Sequence, residues 1–216
     1  MSSSHVHIVY CHPSEDSLTA EIRDAFIRGL LDSGKTCTIS DLYKQGFQTD
    51  MTEAEYLRDA YYNSTLPLAA DVLAEQALIN AAGTLVFIYP VFWTEAPAKL
   101  VGWFDRVWSY GFAYGLDGSL ASTPDGSSTS DSPVIKPMKV LEKALFIACA
   151  GNTREVLETQ GRLQSMMNVM LDDRIHDRAR HKEFVLLGGT ERSDSTRREA
   201  MRAQHLETAY RLGEAF

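Results

Sequence analysis

Three short stretches of this sequence carry side chains whose types and spacing suit ligand chemistry, and each follows an apolar run. The first reads His12-Pro13-Ser14-Glu15-Asp16-Ser17-Leu18-Thr19. Hydroxyls at Ser17 and Thr19, together with backbone N–H groups at a helix start, can hold an anion without Lys or Arg. Glu15 and Asp16 oppose that use unless they turn outward, and Ser14 or Asp16 acting as a plain helix cap would account for the same residues. The second, Pro90-Val91-Phe92-Trp93-Thr94-Glu95-Ala96-Pro97, sets large aromatics where a polar turn is the ordinary choice. A planar conjugated ligand can stack on such rings while backbone N–H groups address its edge. A core or a subunit contact would use Phe92 and Trp93 equally well. The third stretch, Ala150-Gly151-Asn152-Thr153, is small and polar.

The elements that must position these loops alternate along the chain. Apolar runs predict strands over 5–11, 36–42, 84–89, 143–149 and 183–187. The run Thr84 to Tyr89 is continuously apolar, as a strand buried on both faces of a parallel sheet requires. Helical spacing from Leu18 to Leu30, stopped at Gly34, predicts the first helix. Further helices are expected over 52–63, 67–82 (with Leu73, Ala77 and Ala81 on one apolar stripe), 96–108, 153–172 and 194–215. Five βα units in sequence predict a single α/β domain over 1–216, a doubly wound parallel sheet with helices on both faces. With strand order 2-1-3-4-5 the ligand site falls beyond the ends of strands one, three and four, where the three stretches lie. A Ser/Gly/Asp-rich stretch, 117–132, reads either as a mobile surface loop without a role or as an active-site lid.

Composition narrows the class. Twenty-one Lys and Arg against 29 Asp and Glu give a net charge of −8, which argues against nucleic acid or an anionic membrane surface as partner. No apolar run approaches the ~20 residues of a membrane span, and the N-terminus lacks signal-peptide character, so a cytoplasmic enzyme is expected. Three widely spaced cysteines, Cys11, Cys37 and Cys149, form neither a disulfide framework nor a zinc spacing and read as small buried hydrophobes. His5-x-His7 shares one strand face but has no third ligand, so no metal site is expected. Arg174, Arg178, Arg180 and Lys182 read as a basic complement to the end of the helix expected over 153–172. Neither G-x-G-x-x-G nor G-x-x-x-x-G-K-[ST] occurs, which removes the Rossmann fingerprint and the P-loop.

Taken together, the motifs resemble the flavodoxin-fold NAD(P)H:quinone oxidoreductases, the DT-diaphorase-like group. The resemblance is carried by His12-Pro13-x-x-x-Ser17-Leu18-Thr19, by Asp41-Leu42-Tyr43 and above all by the segment from Tyr89 to Val107. That segment holds Pro90-Val91-Phe92-Trp93, Ala96-Pro97-Ala98-Lys99-Leu100 and Gly102-Trp103-Phe104-Asp105-Arg106, and Gly111-Phe112-Ala113-Tyr114 follows it. The resemblance implies a flavodoxin-like fold and a two-electron flavoenzyme, a homodimer with its sites at the subunit interface. It implies FAD as cofactor, or FMN as the alternative, with NADH or NADPH as donor and a quinone-like acceptor. By position, His12, Ser17, Leu18 and Thr19 would hold phosphates and ribose. Pro90, Val91, Phe92, Trp93 and Thr94 would face the ring system with Ala150, Gly151 and Asn152. Tyr114 would cover the substrate side, with Trp108 and Phe112 near the interface.

The chain also departs from that pattern. Ala150-Gly151-Asn152 stands where two glycines are usual, and Leu157 and Leu163 stand where the family places a Tyr and a His, so no catalytic acid is assigned. Leu116 replaces a second aromatic beyond Tyr114. Without a second nucleotide motif, donor and acceptor would use one pocket in turn, a ping-pong cycle. A flavin-binding regulatory subunit or an electron carrier without its own turnover is the alternative.

Overall fold

A computed structural model of the chain describes residues 5–115, 138–190 and 195–216. Strands β1 (His5–Tyr10), β2 (Thr36–Asp41), β3 (Thr84–Pro90), β4 (Leu141–Cys149) and β5 (Ala179–Leu187) form one sheet in the order β2-β1-β3-β4-β5. Every pair is parallel, with Val6 opposite Cys37 on one side and Thr84 on the other, and Phe87 opposite Phe146. This is the expected flavodoxin-like architecture. All seven residues of β3 are buried, as its apolar run demands of a central strand.

Alternation along the strands divides the core in two. Ile8, Tyr10, Val86, Ile88, Leu145 and Ile147 face α1 (Leu18–Asp32) and α7 (Ser195–Glu214). Val9, Leu85, Phe87, Tyr89 and Phe146 face the other layer. That layer comprises α3 (Ala70–Ala81), α4 (Ala98–Val107) and the segment after β4; α2 (Glu53–Ala60) precedes α3. Where α1 crosses α7, a Cβ on Gly213 would lie 2.1 Å from the Phe26 carbonyl and one on Gly29 2.1 Å from the Tyr210 carbonyl. Only glycine at both places lets the two backbones touch.

Several expectations are corrected. The inward face of α3 is Val72, Glu75, Gln76 and Ile79, whereas Ala77 and Ala81 are exposed. Counting apolar residues missed it because the face is half polar. The expected helix over 153–172 is instead α5 (Arg154–Thr159), α6 (Arg162–Met167) and a π-helical segment (Asn168–Ile175), the break falling at Gly161 with φ of +69°. Strand β5 begins at Ala179, four residues earlier than expected, because Leu141 extends β4 and pairs with it. Arg180 and Lys182 therefore lie on a strand, and Arg178 just before it, so only Arg174 can meet the end of a helix. The Ser-rich stretch 117–132 and Leu116 lie outside the described residues.

Candidate functional site

Beyond β1, the loop closes onto α1 through Ser17, not through Ser14 or Asp16. Ser17, with extended φ of −140°, accepts the Ala20 N–H as helix cap. Ser14 Oγ accepts the Asp16 N–H at 3.2 Å. The Leu18 and Thr19 N–H groups have no acceptor among the described residues. Free N–H groups at a helix start suit an anion. Glu15 and Asp16 are exposed, and Glu15 is held outward by Arg23 at 3.3 Å, which removes the repulsion the sequence suggested. Tyr10 is wholly buried beside Ser17, yet no partner reaches its hydroxyl with hydrogen-bonding geometry among the described residues. Burial lifts the Tyr10 phenol to about 12, so it stays a neutral donor. His12 holds Ser14 through Nδ1, at 2.8 Å from its carbonyl and 3.0 Å from its N–H. Thr19 points inward: it is buried and its hydroxyl reaches the Cys149 thiol, so it ties the loop to β4 instead of facing outward.

The loop beyond β3 is fastened by Val91 N–H to the Cys149 carbonyl at 2.7 Å. Phe92 and Glu95 then exchange both backbone hydrogen bonds, at 2.9 and 3.0 Å, around a two-residue turn. Its central residues, Trp93 at φ +63° and Thr94 at φ +128°, adopt backbone angles that glycine or asparagine normally supplies. Each costs on the order of 1–3 kcal/mol. The turn aims the Trp93 indole away from the core, leaving it 97% exposed, with Phe92 beside it at 45%. The Trp93 and Thr94 N–H groups have no acceptor among the described residues.

Beyond β4, Ala150 N–H bonds the Leu187 carbonyl, and the Ala150 carbonyl accepts both N–H and hydroxyl of Thr190. Gly151 opens onto free space, with nothing within 4 Å of where a Cβ would stand, and Asn152 is exposed. Because β1, β3 and β4 are neighbours, the three loops line one edge of the sheet. Together they offer free N–H donors at a helix start, a hydroxyl, an exposed indole and an open glycine. That donor set fits a phosphate-bearing planar cofactor. It lacks a nucleophile: burial raises Cys11 to about 12, and burial, only partly offset by Thr19, does the same to Cys149.

The expected substrate residues lie elsewhere. Helix α4, ten residues and ~15 Å long, runs from the loop edge back to the opposite edge of the sheet. Trp108 and Phe112 are buried there, Trp108 packed on Trp103 and Phe104. Arg178 Nε donates to the Ala113 carbonyl and Met138 N–H to the Phe112 carbonyl, which anchors this turn beside the starts of β4 and β5. Tyr114 is 38% exposed. Within one chain, then, Trp108, Phe112 and Tyr114 do not meet Trp93 or Gly151. Leu157 and Leu163 are buried in the core and offer no proton.

Two buried polar groups went unseen in the sequence. Arg106 makes paired bonds to Glu55 at 2.8 and 3.1 Å and to Asp71 at 2.7 and 3.0 Å. Glu75 accepts from Ser40, Gln45 and Trp103 at 2.7–3.0 Å, with His7 Nε2 at 3.8 Å. The capping box of α2, Thr52 with Glu55, was the available signal for the first. His7 also bonds Thr38 at 2.9 Å, while His5 meets Thr36 and Thr38. A cavity of about 710 Å³ between the Gln45–Gln48 segment and α3 has Glu75 and Arg106 in its wall, both already satisfied inside the chain.

Comparison with known proteins agrees with this fold. A family model described as flavodoxin-like fold matches residues 4–209. An NAD(P)H:quinone oxidoreductase from Methanothermobacter marburgensis superposes with a TM-score of 0.83 at 36% identity, covering 97% of this chain and 95% of that one. A ribosyldihydronicotinamide dehydrogenase [quinone] of Rattus norvegicus is 33% identical over 132 residues, 55% of this chain and 57% of that protein. The uncharacterized NAD(P)H oxidoreductase YcaK of Escherichia coli (strain K12) is 34% identical over 115 residues, 53% of this chain and 58% of that protein. The chain spans about half the length of the curated relatives it matches.

Proposed function

This chain belongs to the flavodoxin-like fold family, and on that premise we propose that it is a flavin-dependent NAD(P)H:quinone oxidoreductase acting as a homodimer. The observation that carries the reading is the turn after β3: a central strand ends in a strained, glycine-free turn whose one product is a fully presented indole. A packed protein keeps such strain where a ligand uses it. FAD is the flavin proposed, FMN the alternative, and three cysteines without a disulfide suit a cytoplasmic setting.

In this reading the flavin, when bound, supplies hydride acceptance and donation. The chain supplies the rest. The Leu18 and Thr19 N–H groups and the Ser17 hydroxyl hold phosphate at the start of α1. Phe92, Trp93 and Thr94 cover the ring system and present two N–H groups to its polar edge, where they would steady negative charge. Gly151 leaves the room that a side chain would take. Tyr114 reaches the site only from a second copy, because α4 places it on the far edge of its own sheet. Tyr56, Tyr61 and Tyr62, at 59%, 73% and 58% exposure, lie in and just beyond α2, and Tyr62 stacks edgewise on Tyr110 beside Tyr114. An apolar surface of that kind suits a subunit contact.

The absorbance spectrum of the purified protein, with acid release of the pigment, tests the reading. A released flavin, a dimer by light scattering and turnover of NADH or NADPH with a soluble quinone are the expected results. Parallel double-reciprocal lines are expected for one pocket used in turn, and intersecting lines would remove that feature. A colourless protein that takes up neither FAD nor FMN overturns the proposal.

A further inference from the structure

Each of the two half-sites carries a charge that its own chain leaves unmatched. At the loop edge, Glu95 closes the turn that presents Trp93. Its exposed carboxylate is anchored through Oε1, which accepts the Ala96 N–H at 2.8 Å. Cations of the surrounding elements are engaged elsewhere: Arg23 with Glu15 and Asp24, Arg154 with Glu158, and Lys99 Nζ with the Phe47 carbonyl at 2.7 Å. Among the described residues, no cation comes within ion-pair distance of Glu95.

At the opposite edge the unmatched charge is positive. Arg178, half-buried, anchors the Tyr114 turn: Nε donates to the Ala113 carbonyl at 2.8 Å and Nη1 to the Ile175 carbonyl at 3.4 Å, both neutral acceptors. The charges around it pair with one another, Arg174 with Asp105, Lys182 with Asp172 and Arg180 with Glu142. Asp173 and Asp177 act on Arg178 only from beyond ion-pair distance, and their carboxylates lie against Arg174 and His176. No described carboxylate pairs with Arg178.

We propose that Glu95 of one copy pairs with Arg178 of a second, and that this ion pair sets the register in which the two half-sites meet. The proposal rests on the homodimer reading. If Tyr114 of a second copy covers the turn at Trp93, Arg178 comes with it, because the Ala113 carbonyl it holds directly precedes Tyr114. Glu95 receives it, two residues beyond Trp93 and tied to Phe92 through both backbone hydrogen bonds. A two-fold contact repeats itself, so the dimer holds two such pairs. Closing the interface strips water from both groups, a cost that an opposite charge in contact offsets and an unpaired charge does not. Pairing like edges instead would set Glu95 against Glu95, or Arg178 against Arg178, so the same two residues also disfavour the wrong registers.

Dilution of the purified protein, followed by light scattering, gives the dimer Kd. Glu95→Gln keeps an oxygen for the Ala96 N–H and loses only the charge; it should raise that Kd about 10-fold. Glu95→Arg and Arg178→Glu each turn two attractions into two repulsions and should raise it about 100-fold or more. Mixed together, these two reversed variants should assemble again, because every contact between positions 95 and 178 then joins opposite charges. Native mass spectrometry identifies the mixed dimer by its mass, and a misfolded variant would not be rescued in this way. Reversals that leave the Kd unchanged, or folded and dissociated variants that fail to combine, overturn the pair while the homodimer reading stands. If Arg178→Glu does not fold, the two Glu95 variants decide alone, and an unchanged Kd in both overturns the pair. A wild type that stays monomeric overturns the homodimer reading and the pair with it.

Discussion

Trp93→Ala separates what the β3 turn does for the fold from what it does for a ligand. The indole is 97% exposed in the free chain, so its removal strips almost no packing, and surface changes of that kind move stability by about 0.5 kcal/mol or less. Alanine at φ +63° carries the same kind of backbone strain as tryptophan, so the turn itself should be retained. On a flavin the sum differs. If one ring face is covered, about 100 Å² of the indole's ~200 Å² leaves water, worth roughly 2.5 kcal/mol at ~25 cal/mol per Å². That is a loss of roughly 60-fold in affinity at 1.4 kcal/mol per decade. Titrating flavin into the stripped apoprotein, following quenching of flavin fluorescence, measures it, and thermal unfolding of the same apoprotein measures stability. Trp93→Phe should fall between. An unchanged flavin Kd in Trp93→Ala, or a Tm lowered by several degrees without flavin, would refute the assignment of the indole to the ligand.

Thr94→Gly should raise apoprotein stability by about 1 kcal/mol, seen as a higher Tm, because a β-branched residue leaves φ +128°; flavin affinity should fall as the turn loosens. Glu55→Gln breaks the charge balance around the buried Arg106 and should cost about 3 kcal/mol in urea unfolding. Burial alone would raise Glu55 and Asp71, but the Arg106 bonds outweigh it and hold both carboxyls below their ordinary range. Their contribution is thus present above the unfolded-state carboxylate pKa near 4 and is lost as pH falls through the lower folded values. Wild-type stability should drop there, and Glu55→Gln should drop less. Gly213→Ala drives a Cβ into the Phe26 carbonyl, 2.1 Å away, and should cost about 1–3 kcal/mol with α1 and α7 forced apart, measured by the same unfolding.

What the sequence revealed of this fold, and what it hid, follows from which forces act locally. The strands were legible because burial on both faces forces a continuous apolar run, as in β3, and the sheet order because ordinary βα connectivity leaves few alternatives. The inward face of α3 was not, because Glu75 is buried by virtue of partners drawn from β2, the following loop and α4, distant in sequence. The cap at Ser17 and the inward turn of Thr19 escaped for the same reason: which hydroxyl faces out is decided by the end of β4, 130 residues away in sequence (Thr19 to Cys149). The harder case is the aromatic segment from Tyr89 to Tyr114, which reads as one motif and suggests one site. Helix α4 divides it. Its start lies with Trp93 at the loop edge, and its end, with Tyr110 and Tyr114 just beyond it, lies about 15 Å away at the other. Two half-sites at opposite edges of one sheet cannot act on one ligand within a single chain. In the proposed homodimer they would be joined across two copies, each copy giving and receiving the half that its own fold keeps apart. There the segment would join two copies through the exposed Trp93 and Tyr114, while Trp103, Phe104 and Trp108 remain buried core.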